Sequence, residues 1–143
     1  MTEMNTTDQA SPAQSPILEV KDLGVHFWVS DEWWMAAEGL TYTVNAGEVL
    51  AIVGESGSGK STVANIILNL IDPTSGKVFH DGVDLSTLGP KELFALRRIM
   101  QPVFQNPYGS LDPMYSIFRV VEEPLRVHGI GTAKEREARV AEL

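Results

Sequence analysis

Nine consecutive residues hold most of the recognisable chemistry of this 143-residue chain: Gly54, Glu55, Ser56, Gly57, Ser58, Gly59, Lys60, Ser61 and Thr62. Gly54, Gly59, Lys60 and Ser61 fall in the spacing Gly-x-x-x-x-Gly-Lys-Ser, which suits a phosphate-cradling loop. Glycines let a backbone turn tightly through positive φ. Such a turn aims successive N–H groups inward and makes a nest for anionic oxygens. A helix starting near Lys60 adds its positive dipole end. Lys60 can reach β- and γ-phosphates as a mobile point charge, and the Ser61 hydroxyl can ligate Mg²⁺. The expected ligand is therefore the phosphate chain of ATP.

The flanking residues supply the elements that must hold such a loop. Glu48 to Val53 is a continuous apolar run with β-branched residues, the pattern of a strand buried on both faces. Lys60 to Ile71 reads as a helix whose apolar stripe is broad enough for it to be largely buried, ended by Asp72-Pro73. This strand–loop–helix order is the context that a phosphate loop requires.

Upstream, Ile17 to Lys21 and Val25 to Val29 read as two strands, with Ser30 to Glu32 as a polar turn. Leu40 to Val44 alternates again before the turn signal Asn45-Ala46-Gly47. Downstream, Thr74 to Gly76 is a turn, Lys77 to His80 a short strand and Asp81-Gly82 a second turn. Pro90 opens a helix running to about Arg98. Ile99 to Gln105 reads as a strand interrupted by Pro102, Asn106 to Pro113 as a loop, and Ile117 to Val127 and Ala133 to Leu143 as helices.

Composition narrows the classes. The chain has 43% apolar residues, which fits a globular fold, and no cysteine, which excludes disulfides and thiolate metal sites. His26, His80 and His128 lie far apart and read as unrelated packing or surface histidines. The net charge of −8 disfavours a nucleic-acid partner. No apolar run approaches the ~20 residues needed to span a bilayer. Residues 1–16, rich in Thr, Ser, Gln and Pro, lack the features of a secretory signal and read as a disordered tail on a cytoplasmic protein.

Residues 54–62 resemble the Walker A motif of ATP-binding cassette (ABC) transporter ATPases. The run Pro102-Val103-Phe104-Gln105-Asn106-Pro107-Tyr108-Gly109-Ser110-Leu111-Asp112-Pro113 resembles that family's Q-loop, in a form similar to subunits that energise oligopeptide, dipeptide and nickel import. The resemblance covers Ile17 to Leu143. It implies an α/β fold: a P-loop NTPase (RecA-like) core with N-terminal antiparallel strands. Residues 17–107 would be the N-terminal part of the nucleotide-binding domain, and 108–143 the start of a helical subdomain.

The resemblance also implies roles. Gly54, Gly57, Gly59, Lys60, Ser61 and Thr62 would hold triphosphate and magnesium. Gln105 would sense Mg²⁺ and the γ-phosphate and link the site to membrane subunits; the alternative is a polar residue capping a strand end. Phe27 falls where the family places an adenine-stacking aromatic, with ordinary core packing as the alternative. Trp28, Trp33 and Trp34 are rival stackers, although a partly exposed loop covering the sheet edge fits them better. Implied partners are a second ATP-binding subunit, transmembrane permease subunits and, indirectly, an extracytoplasmic solute-binding protein. The implied location is peripheral, on the cytoplasmic face of the membrane.

The family's Leu-Ser-Gly-Gly-Gln segment, its second strand ending in Asp-Glu and its later histidine are not found in these 143 residues. The expectation is the N-terminal part of a longer subunit that couples ATP hydrolysis to import of peptides or a similar small solute. Two alternatives stay open: a catalytically incomplete nucleotide-binding fragment, and an ABC ATPase not attached to a transporter.

Overall fold

The computed structural model describes residues 15–143, so all but Ser15 and Pro16 of the expected tail lies outside the described residues. The chain forms two compact units, one running to Leu93 and one from Phe94 to Leu143.

The first unit is built on a long hairpin. Strand β1 (Leu18–Val29) pairs antiparallel with β2 (Glu32–Val44), from Leu18 opposite Val44 to Val29 opposite Glu32. The two short strands expected here are one strand with irregular register. At its first irregularity Asp22 takes a φ of 48° and its N–H donates to Thr41 Oγ1 at 2.9 Å, so the backbone kinks without losing a partner. Ser30 and Asp31 close the hairpin with φ values of 52° and 65°, the left-handed pair that matches strand twist in a two-residue turn. Trp33 and Trp34, expected on a loop, lie in β2 instead. Aromatic residues suit a pleated surface, and the tight turn leaves no loop for them to occupy.

Strand β3 (Ser75–His80) pairs antiparallel with the other edge of β1, and β4 (Val83–Asp84) closes a second hairpin across Asp81-Gly82. The sheet order is β2-β1-β3-β4. Helix α1 (Lys60–Ile67) buries Val63 and Ile66, and the unit's core joins these to Val20, Leu23, Val25, Val78 and Leu85. Ile66, Val78 and Leu85 line a common cavity of about 30 Å³, so the helix meets the β3 side of the unit.

Two expectations near the loop are corrected. Residues 48–53 form no strand, and Val49 and Val53 are 92% and 88% exposed. The sheet's pairings join β1 to β2, β1 to β3 and β3 to β4, so residues 48–53 have no strand to bond to. Helix α1 ends at Ile67 rather than Ile71, because Asn69 turns left-handed with φ 53°. Its stripe is only partly buried, and Leu70 is exposed.

A short 3-10 turn (Leu85–Thr87) follows β4 and is capped by Asp84, whose Oδ1 accepts from Ser86 N at 3.0 Å. Lys77 Nζ donates to Asp84 Oδ2 at 2.6 Å. The Lys77 and Ser86 hydrogen bonds hold the Asp84 carboxyl at a pKa of about 2. A depressed carboxylate contributes stability that is present above the ordinary Asp value, about 4, and is lost as pH falls toward 2. Asp84→Asn is expected to lower the thermal midpoint at pH 6, with the gap to the parent closing as pH falls from 4 to 2. A gap independent of pH would assign the loss to shape instead of charge.

Helix α2 (Pro90–Leu96) crosses from the first unit into the second and stops short of Arg98. No strand forms over 99–105; like 48–53, this apolar run has no strand bonded to it, and Ile99 and Val103 are exposed. Within the expected loop 106–113 lies a single helical turn, α3 (Pro107–Ser110), because Asn106 caps it by accepting from Gly109 N at 3.1 Å. Helices α4 (Ile117–Val127) and α5 (Ala133–Glu142) have the expected starts. Ser116 caps α4, and Thr132 with Glu135 forms a capping box on α5. The two helices are tied by Arg136 Nε to Glu122 Oε1 at 2.8 Å, with both side chains 18% exposed.

Candidate phosphate-binding loop

Gly59 is the hinge of the site. It caps α1 with φ 83° and ψ 2°, and its carbonyl accepts the first intrahelical bond from Val63 N at 2.9 Å. The cap has no side-chain acceptor, and the first turn carries no acidic residue. The N–H groups at the start of α1 therefore keep their hydrogen-bonding capacity, and the positive end of the helix dipole is not neutralised by its own first turn. Together these favour an anion.

The loop before Gly59 is tight and open to solvent. Ser58 N donates to Glu55 O at 3.2 Å, Gly57 takes φ 82°, and residues 54–58 are all exposed. Lys60 folds back across this turn. Its Nζ donates to Gly54 O at 2.9 Å, Glu55 O at 2.6 Å and Ser58 Oγ at 3.2 Å. An ammonium has three N–H donors, and here all three point to the loop. The lysine thus fixes the loop's curvature while its charge stays at the loop.

Ser61 and Thr62 lie in the first turn of α1, Ser61 exposed and Thr62 half-buried. The structure brings together all nine loop residues expected from the sequence. Backbone N–H groups, one ammonium and a hydroxyl form a donor set that fits a polyphosphate with a hard cation. Among the described residues no group of three or more His, Asp or Glu side chains could hold a metal.

Two other expected residues lie elsewhere in the fold. Phe27 sits in β1 opposite Trp34, with 36% of its surface exposed. Gln105 is exposed, just before the Asn106 cap, and belongs to the second unit, whereas the phosphate loop belongs to the first. It caps no strand, since none forms there.

Sequence reasoning missed Ala36. A Cβ built on Gly59 would lie 2.1 Å from the Ala36 carbonyl oxygen, so β2 runs directly against the loop. No residue type signals it, because the contact is with main-chain atoms.

Comparison with known proteins agrees with this geometry. The ABC transporter family profile matches residues 37–143. A Brucella ovis protein, provisionally named a peptide import ATP-binding protein, is 39% identical over 86% of this chain and 39% of its own length. The glutathione import ATP-binding protein GsiA of Escherichia coli is 47% identical over 76% of this chain and 17% of its own. The chain thus spans well under half the length of these relatives. A dimeric ATP-binding cassette, solved in a post-hydrolysis state bound to ADP and Pi, superposes with a TM-score of 0.73 at 31% identity. That match covers 87% of this chain and 54% of the other. Glycine loop, lysine clasp and profile coincide on the same residues, and the chain belongs to the ABC transporter family.

Proposed function

We propose that the chain is the phosphate-binding part of an ATP-binding subunit that couples ATP hydrolysis to import of peptides or a similar small solute. The observation that supports this most is the Lys60 clasp over a loop that leads into an uncapped helix N-terminus. The relatives are named for import of peptides or glutathione, and the reading for this chain rests on that similarity. In this reading Mg²⁺ enters with the nucleotide and is held in part by Ser61. A second ATP-binding subunit completes each site, permease subunits dock on the assembly, and the subunit sits on the cytoplasmic face of the membrane. Residues 17–107 carry the nucleotide site and 108–143 begin the helical subdomain.

The test is equilibrium binding to the 143-residue chain by calorimetry. Mg-ATP and Mg-ADP should bind at least tenfold more tightly than AMP, since the loop recognises the β- and γ-phosphates (~1.4 kcal/mol per tenfold). AMP binding as tightly as ATP would contradict the reading.

For Gln105 we propose a coupling role. Its side chain is neutral and can coordinate a metal or orient water through its carbonyl. The residues after it are fixed by Asn106 and by Ser110 Oγ, which donates to Asn106 O at 2.7 Å. Gln105 itself lies outside any helix or strand, where backbone angles can adjust. Gln105→Ala in the complete subunit should leave ATP affinity within about threefold, because Lys60 and the backbone nest remain. Solute-stimulated hydrolysis in the assembled transporter should fall far more than the basal rate. Equal loss of both rates would reduce Gln105 to a metal-site residue.

A further inference from the structure

All three tryptophans of the chain lie at the tip of the β1–β2 hairpin. Trp28, Trp33 and Trp34 are 56%, 67% and 61% exposed. Trp28 and Trp33 are cross-strand partners with ring centroids 5.1 Å apart and planes at 67°. Phe27 and Trp34 pair at the neighbouring position, and alternation puts them on the opposite face. The tip is therefore aromatic on both sides. Residues 48–53 are exposed because their backbone has no strand beside it. The hairpin's strands are bonded to each other out to Val29 and Glu32, so its tip is paired backbone, unlike residues 48–53.

Charge singles out the same region. The hairpin, residues 18–44, holds five acidic residues (Glu19, Asp22, Asp31, Glu32 and Glu38) and one basic one, so half of the chain's net charge of −8 arises there. The single basic residue, Lys21, is already engaged by Glu19 at 2.9 Å and lies over the Phe79 ring. Around the tryptophans Asp31, Glu32 and Glu38 are exposed, and no lysine or arginine occurs between Lys21 and Lys60.

We propose that this hairpin is a docking surface for an arginine-bearing segment of a protein partner. Indole faces bind cations, arginine most often, and the guanidinium plane stacks on them while its N–H groups reach carboxylates. Exposed aromatics beside acids with no salt-bridge partner among the described residues offer both contacts at once. A second copy would set two acidic surfaces against each other, which complementarity disfavours. An anionic bilayer surface would be repelled for the same reason. The inference is independent of the transport reading.

Because every tryptophan is on the hairpin, intrinsic fluorescence reports on it alone. Octa-arginine, octa-lysine and a Gly-Ser peptide would be titrated into the 143-residue chain, with labelled-peptide anisotropy as a second readout. The arginine peptide should give a saturable change, bind more tightly than the lysine peptide, and weaken at least about fivefold from 0.05 to 0.5 M salt. Glu32→Gln/Glu38→Gln, two exposed substitutions, should weaken it by about fivefold or more. Trp28→Ala should remove the preference for arginine over lysine. Equal binding of the Gly-Ser peptide, or no salt dependence, would overturn the proposal. So would a response to phosphatidylcholine/phosphatidylglycerol vesicles with none to the peptides, which would make the tip a membrane anchor. Displacement of the peptide by adenosine would assign the aromatics to the nucleotide base instead.

Discussion

Replacing Lys60 with alanine is expected to abolish measurable hydrolysis in the complete subunit and to weaken Mg-ATP binding to this chain by at least tenfold. Two losses combine. The side chain now donates to Gly54 O, Glu55 O and Ser58 Oγ, so its removal leaves the loop's carbonyls facing inward with no cation among them. Those carbonyls would then repel incoming phosphate oxygens. The second loss is electrostatic. Lys60 is the first basic residue after Lys21, in a stretch whose charges are otherwise all acidic. One preorganised contact to charge developing in a transition state can contribute ~3–4 kcal/mol, roughly 10²–10³ in rate. Binding should also become more dependent on Mg²⁺, since the metal is then the main neutralising charge at the loop. Lys60→Arg separates the two losses: it keeps the charge, but a planar guanidinium cannot place three donors on the same three acceptors. Phosphate release and nucleotide titration for parent, Lys60→Ala and Lys60→Arg decide the matter. A Lys60→Ala rate within a few-fold of the parent would sink the assigned role.

What could be read from the sequence divides along local and non-local lines. Features set by a few neighbouring residues were legible. The helix start near Lys60, the turn expected over Ser30 to Glu32 and found at Ser30-Asp31, the Asp81-Gly82 turn, and the helices opening at Ile117 and Ala133 all depend on caps and φ preferences within four residues. Strands depend on partners: the runs expected near 17–21, 25–29, 40–44 and 77–80 have them and are strands, whereas two others do not. Residues 48–53 and 99–105 have strand composition but no strand bonded to them, so neither run becomes one. Trp33 and Trp34 show the converse. Expected on a loop covering the sheet edge, they are strand, because pairing with Trp28 and Phe27 carries β2 through them. The loop's chemistry was legible because glycine spacing and lysine position are local. Its support was not, because the wall behind Gly59 is a backbone carbonyl 23 residues earlier in the chain.

That wall makes Gly59 the most demanding position in the loop, and Gly57 supplies the control. Both take φ values near +80°, 82° at Gly57 and 83° at Gly59, where an L side chain costs about 1–2 kcal/mol. A Cβ at Gly57 would meet nothing within 4 Å. A Cβ at Gly59 would meet Ala36 O at 2.1 Å and Ala36 C at 3.1 Å. No rotamer relieves that contact, because the obstructing atoms are main chain. Either β2 shifts, which disturbs its pairing with β1, or the start of α1 swings outward and carries Lys60, Ser61 and Thr62 out of register with the loop. Gly57→Ala is therefore expected to lower stability by about 1 kcal/mol and ATP affinity by less than about fivefold. Gly59→Ala should lose at least about twice that stability, since strain and clash add, and should lose ATP binding altogether. Ala36→Gly should not rescue it, as the carbonyl remains. Thermal unfolding and nucleotide titration of the three variants test this together. If Gly59→Ala tracked Gly57→Ala in both measurements, the contact between β2 and the loop would have no energetic consequence.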